Sequence, residues 1–544
     1  MAKRVVVVGG VAGGMSCAAR LKRLDDSIEV TVFEKGPDVS YANCGMPYFI
    51  GGVIEDRRKM NVQTAEGSRR RYGVDVRTQH EVTRIHRADK TVEVRNLATG
   101  DVFTQTYDTL VLAPGAPAIR PGIPGAFASR VFVLRDLQDM DAITAAIPGA
   151  RHAAVVGAGF IGLELVENFV HRGLKVSLIE LTSHVMPRMD AEMAAPLQEQ
   201  LVSQGVQLYL GQTAEAIEAN GNVKLGGGTM IESDFVCLCV GVRPASELAR
   251  DAGLDLGERG FIAVDEHLRT SDPDIYAVGD AVQVKHLVTG KTTAIPLAGP
   301  ANRQGRIAAD NIAGRDSVYR GSLGSSIVKV FDLAVAQTGL GEIQAKQEGI
   351  DYHVIFAHPT QHAGYYPGAT PITIKLLFGA DGRILGAQAV AKEGADVIIN
   401  VIATAIQGGM SVEDLEHLDL VYSPQWGSAK HAVNMLGFIA HNLLRGDMLS
   451  FTPDETPAGV LWLDVRNPNE TAGGVIEDAL VIPLDDLRQR FEEIPRDRKI
   501  AVYCAAGLRG YVACRFLQQQ GFDVINLTGG YRTWCQYQQA KKST

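Results

Sequence analysis

The chain opens on an unbroken apolar run, Val5-Val6-Val7-Val8, that stops at Gly9-Gly10. A short run without alternation, closed by glycine, predicts a strand buried on both faces. Apolar positions at helical spacing follow through Leu21. A second run, Ile28 to Phe33, then ends at Glu34. The same order of patterns returns at Ala153–Val156, a glycine turn, and a run from Lys175 to Ile179 that ends at Glu180. Further short apolar runs stand at 109–112, 275–278, 326–331, 460–465 and 499–503. Strands that alternate with helical stretches predict parallel α/β units.

At 544 residues, three to four domains are expected, each large enough for its own core. The apolar fraction of 46% fits a soluble globular chain, and the net charge of −9 disfavours nucleic acid or an anionic membrane as partner. No apolar run reaches membrane-spanning length, and the start reads as a strand rather than a signal peptide. Seven cysteines in so long a chain suggest reduced thiols and a cytoplasmic setting. No metal site is expected.

The two glycine turns carry candidate chemistry. In the first, Gly9, Gly10, Ala12, Gly13 and Gly14 lie between strand and helix, and Glu34 ends the next strand 20 residues beyond Gly14. Val11 replaces the middle glycine of the usual pattern. In the second, Gly157, Gly159, Phe160, Ile161 and Gly162 follow the pattern without substitution, with Glu180 as terminal acid. Amides at such a turn and helix start cradle a pyrophosphate, and the acid accepts a ribose hydroxyl. Two complete copies predict two bound dinucleotides. Gly279-Asp280 follows a further short strand, where the carboxylate either meets a polyol or caps the next helix.

Cys44 stands in Ser40-Tyr41-Ala42-Asn43-Cys44-Gly45, and no second cysteine follows until Cys237. A lone thiol beside a dinucleotide site must pair with something external, so a small-molecule partner becomes part of the redox centre. Cys504 ends a strand and opens the loop Ala505-Ala506-Gly507-Leu508-Arg509, where amides and a helix start favour an anionic sulfur and Arg509 is available to hold an anionic sulfur donor. Cys237 and Cys239 alternate on one strand face and read as packing residues. Cys17, Cys514 and Cys535 also read as structural.

These residues resemble the flavin-dependent pyridine nucleotide–disulfide oxidoreductases over about residues 1–445, and Leu463–Arg466, Cys504–Arg509 and Asn526–Tyr531 resemble a rhodanese domain. The resemblance implies an α/β fold with two Rossmann-like domains, an α+β dimerisation domain and a C-terminal rhodanese-like domain. An FAD domain is expected at 1–150 and 246–324, an NAD(P)H domain at 151–245 and a dimerisation domain at 325–447. A linker is expected at 448–457 and the rhodanese-like domain at 458–544. For FAD the resemblance adds Lys35, Asn43, Ala113, Pro114, Gly115, Pro296, Leu297 and Ala298. For NAD it adds Glu164 and Gly241. NADH is the expected reductant, with NADPH open, and a homodimer is expected.

Around Cys44 the chain is most similar to the coenzyme A-disulfide reductase branch, whose single cysteine cycles through a mixed disulfide with coenzyme A. That likeness implies coenzyme A contacts at Ser16, Arg20, Arg23, Ser40, Asn43, Arg71, Asn302 and Lys430. It also implies that Tyr365 and Tyr422 reach the partner subunit's active site, although both segments also fit interface packing. Gln425-Trp426-Gly427 departs from the proline-rich run expected after Tyr422. The implied reaction is reduction of coenzyme A disulfide, persulfide or polysulfide, with a cysteine persulfide on Cys504 as sulfur source. Two alternatives are an NADH oxidase or peroxidase that uses a sulfenic acid, and a non-catalytic redox sensor or sulfur carrier. Ala12 replaces the histidine of the peroxidases, and two dinucleotide sites exceed what a sensor needs.

Overall fold

The computed structural model describes residues 2–542. The chain divides into two compact units, one up to Ile179 with Thr213–Gly324, the other Glu180–Gln212 with everything from Ser325 onward.

The first unit is built on the valine run. Arg4–Val8 is the central strand of a five-stranded parallel sheet, in the order Ile275–Ala277, Thr109–Leu112, Arg4–Val8, Glu29–Glu34, Asp75–Thr78. Val5, Val6 and Val7 are fully buried, as a parallel sheet covered on both faces requires. The helix Ala12–Leu24 follows and buries Met15, Cys17, Ala18 and Leu21. A second set of parallel strands, Lys175–Glu180, His152–Val156, Phe235–Leu238 and Val131–Phe132, repeats the design, with helix Phe160–His171 after its glycine turn. The strand ends at Leu238, so Cys237 lies inside it and Cys239 just beyond, not both within it as the alternation suggested. Burial raises the Cys239 thiol to about 12, in keeping with a packing role.

The second unit holds two sheets. One is antiparallel, in the order Ser326–Val330, Leu333–Gly339, Ile384–Ala391, Ile372–Phe378, His353–Ala357. Helices Ala395–Gln407 and Ala432–Leu444 cover it and share its core. Lys375, fully buried in this sheet, is held by Asp190 at 2.8 Å, Glu342 at 3.0 Å and Glu192. Burial works against its charge, and the surrounding carboxylates prevail and hold its pKa well above the usual lysine value.

The other sheet is parallel, in the order Ser450–Phe451, Val524–Leu527, Ile500–Tyr503, Leu461–Asp464, Leu480–Val481. Ser450–Phe451 lies within the stretch expected to be a linker. It is instead the edge strand, and Thr452 and Glu455 close a capping box directly after it. Two paired residues leave no periodicity to read, which is why turn-forming residues dominated that prediction. Helices Leu508–Gln519 and Gly530–Lys542 complete this layer, and His358 joins it to the antiparallel sheet through contacts with Thr533 Oγ1 at 2.9 Å and Thr373 Oγ1 at 3.2 Å. Among the described residues, no helix is long and apolar enough to cross a membrane.

Candidate active site

Both glycine turns lead into helices whose starts are uncapped. The helices Ala12–Leu24 and Phe160–His171 start without a side-chain cap and carry no acid in their first turns. Their leading N–H groups and positive dipole ends are therefore available to an anion. Gly9 adopts φ +100°, and a Cβ there would fall 2.1 Å from the Ala113 carbonyl oxygen. Only glycine fits that crossing of turn and Ala113-Pro114-Gly115. At Gly159 a Cβ would meet nothing within 4 Å, so the second turn faces space that a ligand can fill.

The terminal acids are fixed by their own surroundings. Glu34 accepts from Gly10 N–H at 2.7 Å and from Gly36 N–H at 2.8 Å. Lys35 beside it is exposed. Glu180, 6% exposed, accepts from the Thr182 N–H at 2.9 Å and hydroxyl at 3.0 Å. Asp280 follows Gly279, whose N–H donates to Gln304 at 2.7 Å, and lies 3.6 Å from Arg135. Burial raises the Asp280 carboxyl and Arg135 opposes it. Pro296 and Leu297 lead into helix Ala298–Ile312, with Ala298 at its first position. Ile161 and Gly241 are exposed. The donors, acids and turn geometry fit two dinucleotides.

Cys44 lies in the short turn Asn43–Gly45 and is the one exposed cysteine of the seven. Desolvation by the surrounding chain raises its thiol pKa, and the carboxylates of Glu164 and Asp280 add to this. Glu164 is itself pushed up to about 7 by burial, against the pull of a 3.4 Å hydrogen bond from the Tyr48 hydroxyl and with a further push from Glu167. The carboxyl is thus poised to change charge near neutrality beside the thiol. Arg135 carries no sequence signal for this site, because it joins it only through its contact with Asp280. Tyr48, by contrast, lies four residues after Cys44 on the short helix Met46–Ile50, which brings its hydroxyl to Glu164.

The expected coenzyme A contacts divide into groups. Ser16 Oγ donates to Asn302 Oδ1 at 2.5 Å, so these two meet where their helices pack. Arg20, one turn after Ser16, is committed to Asp310 through Nε at 2.9 Å and Nη2 at 2.8 Å. Its charge is already matched, a pairing invisible across 290 residues of sequence. Ser40 holds the left-handed φ of 46° and donates its N–H to Gly10 O at 2.8 Å, which ties the Cys44 segment to the first glycine turn. Asn43 is half-buried next to Cys44, while Arg23, Arg71 and Lys430 are exposed on separate elements. In the second unit, the exposed Tyr365 and Tyr422 hydroxyls meet at 2.9 Å.

The Cys504 loop is compact. Cys504 ends strand Ile500–Tyr503, is 2% exposed, and its Sγ accepts from the Gly507 N–H at 3.1 Å. Arg509 in the following helix was expected to be free to hold an anionic donor. It instead forms two 2.6 Å bonds to Glu470. Those bonds lead in raising the Arg509 pKa, and the Cys504 sulfur contributes as well. Sequence reading missed Glu470 because it lies 39 residues away, on the short helix Pro468–Thr471.

Residues 3–305 match the family described as pyridine nucleotide-disulphide oxidoreductase. The chain belongs to this family. Residues 325–432 match the dimerisation domain of the pyridine nucleotide-disulphide oxidoreductases, and residues 453–537 match the rhodanese-like domain. As a member, the chain is an oxidoreductase of mixed α/β fold whose family uses FAD and NAD(P)H. The coenzyme A disulfide reductase of Staphylococcus aureus strain JH9 is 36% identical over 441 residues, 80% of this chain and 99% of that one. The crystal structure of reduced CoADR-RHD from Bacillus anthracis shares 46% identity at a TM-score of 0.97, with 98% of each chain covered. An NAD-dependent persulfide reductase from A. fulgidus shares 37% identity at a TM-score of 0.93, covering 98% of this chain and all of that one.

Proposed function

We propose that this oxidoreductase reduces a coenzyme A persulfide or disulfide with NADH, and that its rhodanese-like domain supplies the sulfur. The observation that carries the reading is Cys44, the one exposed cysteine of the seven, placed beside the titratable Glu164 and the first dinucleotide turn. A lone exposed thiol has no second thiol beside it to pair with and completes a redox cycle with a partner from outside, which in this reading is the sulfur of coenzyme A persulfide or disulfide. The names of the relatives agree with this assignment.

Bound at the two turns, FAD and NADH would supply an electron pair. The chain's residues handle the sulfur. The Cys44 thiolate attacks the inner sulfur of coenzyme A persulfide, the S–S bond breaks, and hydrosulfide leaves. The resulting mixed disulfide takes up two electrons and one proton, which frees coenzyme A thiol and restores the Cys44 thiolate. Glu164, with a pKa of about 7, exchanges the proton. Ser16 and Asn302, joined side by side, and the exposed Arg23 offer polar groups to the coenzyme A phosphates and amides. Tyr365 and Tyr422 of a second copy, held hydroxyl to hydroxyl, would close the site and donate to the leaving sulfur. Cys504 would carry the sulfane sulfur, stabilised by the Gly507 amide and Arg509.

The test is anaerobic turnover of the holoenzyme with NADH and coenzyme A persulfide, against oxygen alone. Fast release of hydrogen sulfide supports the reading. Turnover with oxygen that equals turnover with the persulfide sinks it in favour of an oxidase.

A further inference from the structure

The turn that seats the Cys504 loop is held from the antiparallel sheet. Gly529 and Gly530 adopt φ +67° and +64°, the left-handed region that glycine enters without strain. A Cβ on Gly530 would collide with Cys504 O and lie 3.0 Å from Ala506 N. A Cβ on Gly529 would collide with Thr533 Oγ1 and lie 2.7 Å from Phe356 Cβ and 2.9 Å from His358 Nε2. One glycine of the turn therefore abuts the sulfur loop. The other abuts His358 and the edge strand His353–Ala357 of the antiparallel sheet.

Hydrogen bonds run through the same layer. Helix Gly530–Lys542 begins in this turn, and the leading N–H groups of a helix have no partner inside it. Two of them hold the sulfur loop. Tyr531 N–H donates to Cys504 O at 2.7 Å, and Arg532 N–H donates to Ala505 O at 3.1 Å. The residues on either side of the turn are pinned by the sheet. Phe356, buried on the edge strand, donates its N–H to Thr528 Oγ1 at 2.8 Å. His358 Nε2 meets Thr533 Oγ1 at 2.9 Å, while its Nδ1 meets Thr373 Oγ1 at 3.2 Å. Thr528 and Thr533 are buried, so both bonds are shielded from water. The helix start thus has a fixed seat, and the loop that hangs from it presents the Gly507 N–H to Cys504 Sγ at 3.1 Å.

We propose that His358 and Thr528 are positioning residues for sulfur transfer at Cys504: through the Gly529-Gly530 turn, the dimerisation domain sets where the Cys504 and Ala505 carbonyls lie and so aims the Gly507 N–H at the sulfur. The proposal rests on the reading of Cys504 as a sulfane-sulfur carrier. Neither residue touches the sulfur. With thiosulfate as donor, the Cys504 thiolate attacks the sulfane sulfur and a new S–S bond forms on Cys504. The donor S–S bond breaks, and sulfite leaves with its electron pair. With inorganic polysulfide the leaving group is the polysulfide shortened by one sulfur. No net oxidation or reduction occurs.

The experiment follows single-turnover sulfur loading of Cys504 in the full-length holoenzyme, without NADH, by intact mass over a range of thiosulfate or inorganic polysulfide concentrations. His358→Leu and Thr528→Val should each cut the limiting rate by about 10-fold, the scale of one lost buried hydrogen bond, and leave the half-saturating donor concentration unchanged. His358→Gln and Thr528→Ser, which keep a hydrogen-bonding group, should restore most of the rate. Flavin reduction by NADH should stay native in all four variants, which reports a folded chain. Native loading in His358→Leu and Thr528→Val would overturn the proposal, as would a change in half-saturation in place of rate. Loading as slow in the two conservative variants would reduce both residues to packing and overturn it as well. In each of these cases the carrier reading stands. Failure of the unaltered protein to take sulfur onto Cys504 from either donor would overturn both.

Discussion

Arg509 is forked onto Glu470, with Nη1–Oε2 and Nη2–Oε1 both at 2.6 Å. The pair holds the guanidinium in register with the Cys504 loop and draws the Glu470 carboxyl down to about 2. A carboxylate so depressed stays ionised from neutral pH down to about 2. Its stabilising contribution is therefore complete above the ordinary glutamate value and fades only as pH falls toward 2.

Glu470→Ala should therefore weaken Cys504 persulfide formation at pH 7, by about 10-fold in rate, through loss of Arg509 orientation. Arg509→Lys should not match the native enzyme, because an ammonium cannot reproduce the two-bond fork. Cyanide-labile sulfur on Cys504 is the measurement. Native-level loading in both variants would show that the fork serves stability alone.

Cys44→Ser should retain FAD and its reduction by NADH but lose turnover with coenzyme A persulfide. Stopped-flow absorbance of the flavin separates the two half-reactions. Persulfide reduction near the native rate in this variant would rule out Cys44 as the redox thiol.

NADH should be preferred over NADPH. Glu180 is buried and doubly held by Thr182, so it cannot swing away from a 2′-phosphate. A like-charge clash in a partly desolvated site costs about 1–3 kcal/mol, or roughly 5- to 150-fold in affinity. Equal kcat/KM values for the two nucleotides would refute the assignment.

Glu164 sets a pH dependence for Cys44. Its carboxyl is neutral below about 7 and anionic above, where it pushes the neighbouring thiol up further. As pH rises through 7 the thiolate is therefore opposed by a new charge. Glu164→Gln should lower the Cys44 pKa and make its ionisation follow a single simple titration. The pH profile of iodoacetamide alkylation reads this directly. An unchanged profile would mean that the two groups do not communicate.

The joined domains should act as a relay. Equimolar Cys44→Ser and Cys504→Ser chains, mixed without free coenzyme A, should release hydrogen sulfide from a polysulfide donor more slowly than the intact protein. Tethering raises the local concentration to about millimolar. Equal rates would show that fusion adds nothing to transfer.

The sequence alone determined the chemistry-bearing turns. An apolar run stopped by glycine, a helix and a terminal acid are constraints local in the chain. Backbone sterics and periodicity therefore made the Gly9–Gly14 and Gly157–Gly162 turns, Glu34, Glu180 and the Cys504 loop legible. The lone position of Cys44 was equally plain. Only the tertiary structure decided which charges meet. Arg20 met Asp310, Arg509 met Glu470, Asp280 met Arg135, and Glu164 came to the side of Cys44. Such pairings join residues as many as 290 positions apart, through side chains whose partners leave no periodic trace. The edge strand Ser450–Phe451 escaped for a related reason. Two residues hold no pattern of their own, and their structure comes from hydrogen bonds to a neighbour fixed by the fold.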